Sequence, residues 1–226
     1  MLVLAIDTAL EACSAAIFDS GQAAIVASET EIMARGHAEA LMPLLDGVMR
    51  EAGLDFFSLD RIAVTVGPGS FTGLRVGIAA ARGIGLAARK PVVGITTLAA
   101  LAAPYIAADP QRPVAAAIDG RHRHVYFQLF GAHGRVLMSP RIIPVEDAVH
   151  AAAGASARLV GSGAGMMAEL WPDANGLPPI DQRGAPDIVW VARLAVEAQP
   201  QDAPPKPLYI RAPDARPQTA AILPRR

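Results

Sequence analysis

The sequence holds one cysteine, Cys13, in 226 residues, so no internal disulfide can form and a reducing compartment is expected. It also lacks a charge of either sign in excess. Twenty Lys and Arg against 21 Asp and Glu leave a net charge of -1, which argues against independent high-affinity nucleic-acid binding. Any RNA contact is expected to be shared or local. No apolar run reaches the roughly 18 residues of a membrane span, because Arg82 and Pro104 interrupt the best candidates. A basic leader is missing too: Asp7 cuts the first apolar run short, and the expectation is a cytoplasmic protein without a signal peptide. Neither H-E-x-x-H nor G-x-S-x-G occurs, and no glycine loop ends in Lys followed by Ser or Thr. What remains is 52% hydrophobic residues with 18% charge, the composition of a well-packed globular chain.

The chain repeats its own pattern. Leu2 to Asp7 reads as a buried strand ending Ala-Ile-Asp, and so does Pro113 to Asp119, the two aspartates lying 112 positions apart. After each comes a hairpin: Cys13 to Phe18 with Ala23 to Ala27, and Val125 to Phe130 with Val136 to Met138. A helical stretch follows in each half, His37 to Ala52 and Val145 to Ala153, and then a strand running into glycines, Ile62 to Gly67 and Arg158 to Gly163. Two β-β-β-α-β-α units imply two α/β lobes across a cleft. The boundary is expected at 103/104, where Pro104, Pro110 and Pro113 cluster, giving lobes over 1–103 and 104–212. Trp171 to Pro186 reads as a loop and Asp187 to Ala198 as a last helix. From Pro204 onward six prolines and five basic residues face one Asp, and 213–226 is expected to be a mobile tail.

The most informative segment is Ile62 to Leu98. A β-branched run meets Gly67-Pro68-Gly69, then Ser70 or Thr72 caps a helix running to Arg89, with a strand beyond it. A loop at a helix N-terminus suits an anion. The helix itself carries little bulk on one face, since Gly73, Gly77 and Ala81 recur every fourth residue with Ala80 and Ile84 beside them. Glycine inside a helix costs up to about 1 kcal/mol relative to alanine, so a closely packed neighbour or partner is expected there. In the helix His37 to Ala52, Leu41, Leu44, Leu45 and Val48 form an apolar face that Ala38, Met42 and Met49 widen to about 160°, beyond the usual stripe. Pro43 either starts or kinks that helix. We assign His37, Leu41, Leu44, Leu45, Val48, Gly73, Gly77, Ala80, Ala81 and Ile84 to a partner interface, with burial inside the lobe as the alternative.

Asp7 and Asp119 stand where a nucleotide cleft places its metal- and phosphate-facing carboxylates, with Gly161 and Gly163 as a second glycine turn. Equally, both aspartates can cap turns at strand ends. Arg121-His122-Arg123-His124 alternates, so on a strand both histidines share a face; no third ligand is apparent, and a solvated strand end is expected. An ATP-dependent phosphotransferase or a metallohydrolase using Asp7 and Asp119 is the enzymatic alternative.

The stretches LAIDTALEACSAAI, RGHAEALMPLLDGVM and VGPGSFTGLRVGIAAARGIGLAARKPVVGITTLAALA, with Asp119-Gly120-Arg121 and Pro207-Leu208-Tyr209-Ile210-Arg211, resemble the bacterial TsaB (YeaZ) family over nearly the whole chain. The resemblance implies the two-lobed fold of acetate kinase, heat-shock chaperone ATPases and actin. It also implies a non-catalytic subunit in the synthesis of threonylcarbamoyl-adenosine in tRNA, next to the anticodon. The implied partners are the paralogue TsaD, which carries the chemistry, the ATPase TsaE, and tRNA indirectly through the complex, with homodimers when TsaD is absent. No cofactor of its own is implied; ATP or ADP would sit at an interface in the complex.

Overall fold

The computed structural model describes residues 1–172, 176–201 and 203–210. The tail expected over 213–226 lies outside the described residues.

In the first half, β1 (Leu2–Asp7), β2 (Ala12–Asp19), β3 (Ala24–Ile32), β4 (Arg61–Gly67) and β5 (Val92–Thr96) form one sheet in the order β3-β2-β1-β4-β5. In the second, β6 (Val114–Asp119), β7 (His124–Phe130), β8 (Val136–Pro144), β9 (Arg158–Val160) and β10 (Ile180–Asp181) take the order β10-β9-β6-β7-β8. The two orders are one topology used twice. Antiparallel hairpins run β1-β2-β3 and β6-β7-β8, while β4 and β9 join the central strands in parallel. This is the two-lobed actin-like ATPase fold. β3 and β8 extend past the runs expected from sequence, because their later residues, Ser28 to Ile32 and Ser139 to Pro144, lie largely exposed on sheet edges and carry no apolar run or alternation to mark them. β10 falls inside the stretch read as loop; two residues carry no periodicity to detect.

Helices α1 (His37–Glu51) and α2 (Phe71–Ala88) cover one face of the first sheet. Ile6, Ile17, Ile62 and Val64 from the strands meet Leu41, Leu45, Val48, Leu74 and Ile78 there. The other face, Val3, Ala5, Ala16 and Ala63, takes α6 (Ile188–Glu197) through Ile188, Val191, Ala192 and Ala195. So the chain returns to the first lobe after residue 187, which corrects the expected division that gave all of 104–212 to the second. Arg61 secures the return: its guanidinium donates to the carbonyls of Ala195, Val196 and Ala198, groups left open at the C-terminus of α6.

Helix α3 (Thr97–Ala108) runs straight through the proline-marked boundary, with Pro104 inside it. Its Ala100 packs in the core under α6, whereas Leu98, Leu101 and Ala102 join Val114, Ala116 and Ile118 of the second lobe. Both lobes share this helix. Helices α4 (Val145–Gly154) and α5 (Ala164–Glu169) cover the far face of the second sheet.

Candidate functional site

The loop Gly67-Pro68-Gly69 and the start of α2 pack closely against the turn after β1. Ser70 N–H donates to the Ala9 carbonyl at 2.7 Å, and Thr8 Oγ1 donates to the Gly73 carbonyl at 2.7 Å. A Cβ on Gly69 would run into the Ala9 carbonyl, one on Gly73 into the Thr8 carbonyl, and one on Gly77 into Thr8 Oγ1. The Ser70 side chain caps α2 by accepting from Gly73 N–H at 3.3 Å. Two carbonyl oxygens therefore stand against this helix N-terminus, and they repel anions. The residues present do not fit a phosphate.

This geometry corrects the partner assignment for the bare face of α2. Gly73, Gly77 and Ala81 are buried against the first lobe's own turn and sheet. His37, Leu41, Leu44, Leu45 and Val48 are likewise buried inside that lobe. His37 Nε2 lies 3.0 Å from the Leu10 carbonyl; a carbonyl only accepts, so this nitrogen carries the proton. The wide apolar arc of α1 exists because the helix packs on the sheet with one side and on α2 with another. Ala80 and Ile84 differ from the rest in reaching the surface.

Asp7 is fully buried. Its Oδ1 accepts from Thr65 Oγ1 at 2.5 Å and from Ala9 N–H at 3.1 Å, while Oδ2 has no partner. Burial pushes its carboxyl from 3.8 up to about 6, against the opposing pull of the Thr65 and Ala9 bonds and of His37. Asp119 is exposed and caps a turn, accepting from Arg121 N–H at 2.7 Å. Gly161, at φ 97°, and Gly163 hug β6: a Cβ on Gly161 would meet the Ala117 carbonyl, which also accepts from Gly163 N–H at 3.0 Å. These glycines answer to packing. Leu10 packs against both the α1–α2 core and the α3 core of the second lobe.

The histidine pair does not form. Arg121, His122 and Arg123 all take positive φ, 63°, 51° and 59°, so the strand begins only at His124 and the alternation is a left-handed turn. Among the described residues no three His, Cys, Asp or Glu side chains are grouped to hold a metal. Cys13 is buried and its thiol is pushed up to about 11, chiefly by burial, which suits a core side chain rather than a nucleophile.

Open space lies on the outside of α2. A groove of about 390 Å³ runs between α1, α2 and the one-turn helix Phe56–Ser58, lined by Met42, Phe56, Phe57, Ala80, Gly83, Ile84, Ala87 and Ala88. Met42 and Phe57 are 52% and 68% exposed, a large apolar surface for a helix pair. Gly83 sits in it with nothing within 4 Å of where its Cβ would be. Gly73, Gly77 and Gly85 each answer to a contact within the chain, Gly85 to Val92. Gly83 answers to none. The helix-propensity cost of Gly83 is visible in the sequence and calls for a close neighbour or partner, whereas Phe56 and Phe57 were missed although adjacent aromatics after a helix were a visible signal.

Among solved structures, one titled YeaZ from Pseudomonas aeruginosa superposes with a TM-score of 0.73 at 32% identity, over 86% of this chain and 90% of that one. The chain belongs to the TsaB/YeaZ family. A second Pseudomonas aeruginosa structure, of an uncharacterized protein with similarity to peptidase YeaZ, covers 93% of this chain and 99% of its own at TM-score 0.78 and 32% identity. The family model for TsaD, tRNA N6-adenosine threonylcarbamoyltransferase, matches residues 23–169, which relates the chain to that enzyme. The Escherichia coli tRNA threonylcarbamoyladenosine biosynthesis protein TsaB is 37% identical over 127 residues, 56% of this chain and 54% of that protein. The chain thus spans about half the length of that relative. An uncharacterized Mycobacterium tuberculosis protein aligns over 95% of this chain and 94% of its own length at 34% identity. A hexokinase from Thermus thermophilus, 15% identical with a TM-score of 0.50, shares the fold alone.

Proposed function

We propose that this TsaB-family chain is a non-catalytic subunit in threonylcarbamoyl-adenosine synthesis on tRNA, working by holding a TsaD-like paralogue in an active shape. The observation that carries this reading is the pairing of a glycine loop packed against the chain's own carbonyls with an outward apolar groove containing a glycine that its own fold does not explain. Two helices cross closely where the contact residue is small. A partner helix crossing at Gly83 would recover the helix-propensity cost of that glycine through backbone-to-backbone approach. A TsaE-like ATPase joins the assembly, tRNA reaches it through the complex, and any ATP or ADP sits at an interface between subunits. Without TsaD the same groove pairs two copies of this chain.

The test is a reconstituted tRNA modification assay with and without the chain, paired with titration of wild-type and Gly83→Leu protein against the TsaD-like partner. Leucine fills the crossing point while its Cβ meets nothing in its own fold, so partner affinity should fall about tenfold or more while the melting temperature holds or rises. Unchanged affinity, or modification that proceeds equally without the chain, overturns the reading.

A further inference from the structure

Viewed down its axis at 100° per residue, α2 has a second exposed flank, turned away from the groove, where Phe71, Arg75 and Arg82 fall within about 40° of one another. Arg89, the C-cap, continues the line, and Lys90 follows it. Arginines at 75, 82 and 89 repeat every seven residues, roughly 10 Å apart along the helix. There is no Asp or Glu anywhere in α2. The segment 203–210 returns along the same flank: Leu208 N–H donates to the Val66 carbonyl at 2.7 Å, and Tyr209 OH accepts from Arg75 Nε at 3.0 Å. It adds Lys206 and no acid.

The line is cationic along its length. Like most of the described arginines, Arg75, Arg82 and Arg89 have no carboxylate within ion-pair distance among the described residues, and only Lys90 at its end acts on an acid, the exposed Asp55. At its N-terminal end, Phe71 and Tyr209 are each 46% exposed with ring centroids 5.6 Å apart, and the Arg75 guanidinium lies 3.6 Å over the Phe71 ring. At the other end Arg82, Leu86, Lys90, Pro200 and Pro204 line an open groove of about 450 Å³. In a chain of net charge -1, three arginines on one line with no acid on their own helix mean segregated charge. Cations that track a backbone, with exposed rings on which bases stack, are the two elements of a single-stranded nucleic-acid surface.

We propose that this flank of α2, from Phe71 and Tyr209 to Lys90, is a direct contact surface for a single-stranded segment of RNA. It rests on the reading above only in making the RNA a tRNA; the surface stands on its own residues. An acidic protein segment would match the cations but make no use of the ring surface that Phe71 and Tyr209 still expose, 46% each.

The experiment titrates a fluorescent single-stranded RNA of about 12 nucleotides with the full chain between about 50 and 200 mM salt. Wild type is compared with the Arg82→Ala/Arg89→Ala double variant and with Phe71→Leu. The double variant should bind about tenfold more weakly at low salt and lose about 1.4 from the log–log salt slope, near 0.7 per phosphate contact. Phe71→Leu should weaken binding severalfold and leave the slope unchanged, as expected for lost stacking. Equal affinity and slope in all three proteins overturns the proposal, and so does a polyglutamate peptide that binds with the same arginine dependence while RNA does not. Because the titration contains no TsaD-like partner and reads no modification, its failure is separate from failure of the proposed function. Unchanged partner affinity of the double variant confirms that the groove was left intact.

Discussion

Gly77 and Gly83 lie six residues apart in one helix and answer to opposite forces. The place of a Cβ on Gly77 is taken by Thr8 Oγ1, whereas that on Gly83 opens to solvent. Gly77→Ala should therefore destabilise by about 1–3 kcal/mol through overpacking. Gly83→Ala should stabilise the isolated chain by up to about 1 kcal/mol, the helix-propensity difference. Urea titration of both variants checks the pair; equal shifts would mean that local contact does not set the sign. Asp7 carries a pH dependence. Its folded carboxyl keeps a proton up to about pH 6 while the unfolded chain releases it near 3.8, so the folded state loses stability as pH rises through that window. The loss is roughly 3 kcal/mol, complete above the folded value. Asp7→Asn keeps an acceptor for Thr65 and Ala9 and should flatten this fall, which unfolding curves at pH 4, 5, 6 and 7 would show. Parallel curves for the two proteins would remove Asp7 as the cause.

At the scale of elements, each exposed surface of α2 does one job and the buried side does another. Its buried side locks to the turn after β1, one flank opens the apolar groove with α1, and the other carries the arginines. α6 depends on a contact that spans more than 130 positions, Arg61 to the carbonyls of Val196 and Ala198. Arg61→Met should cost about 2 kcal/mol and speed hydrogen exchange at the amides of α6 first, since the freed carbonyls lose a charged donor. Uniform acceleration across all helices would contradict this. Apolar runs, turn and cap residues and helical spacing together located β1, β2, β4, β6, β7, α1, α2, α4 and α6, because these signals lie in neighbouring residues. It failed for β10, too short to have a period, and for Arg121 to Arg123, whose alternation mimics a strand although their backbone is left-handed. Pro104 was read as a break, yet α3 absorbs it.

For the whole molecule, the glycine loop packed against the chain's own carbonyls predicts that the isolated chain binds no Mg-nucleotide. Calorimetry at millimolar ATP or ADP should give no heat beyond dilution, and a saturable signal would restore the enzymatic alternative. The family, the duplicated lobes and the special status of α2 were legible in the residues, since apolar period, glycine spacing and paired Ala-Ile-Asp strands are local properties of the chain. Which side of α2 is free was not. A run of small residues states only that something approaches closely; whether that is the chain itself or a partner depends on where Thr8 and Ala9 fall, some 65 positions earlier. The same holds for the cleft, since Asp7 looks like a ligand-facing carboxylate in sequence and becomes a buried, half-satisfied acid once Leu10 and the turn close over it. Sequence sets the faces an element can offer. Only the tertiary fold decides which face its own neighbours consume, because burial is a property of everything packed around a residue.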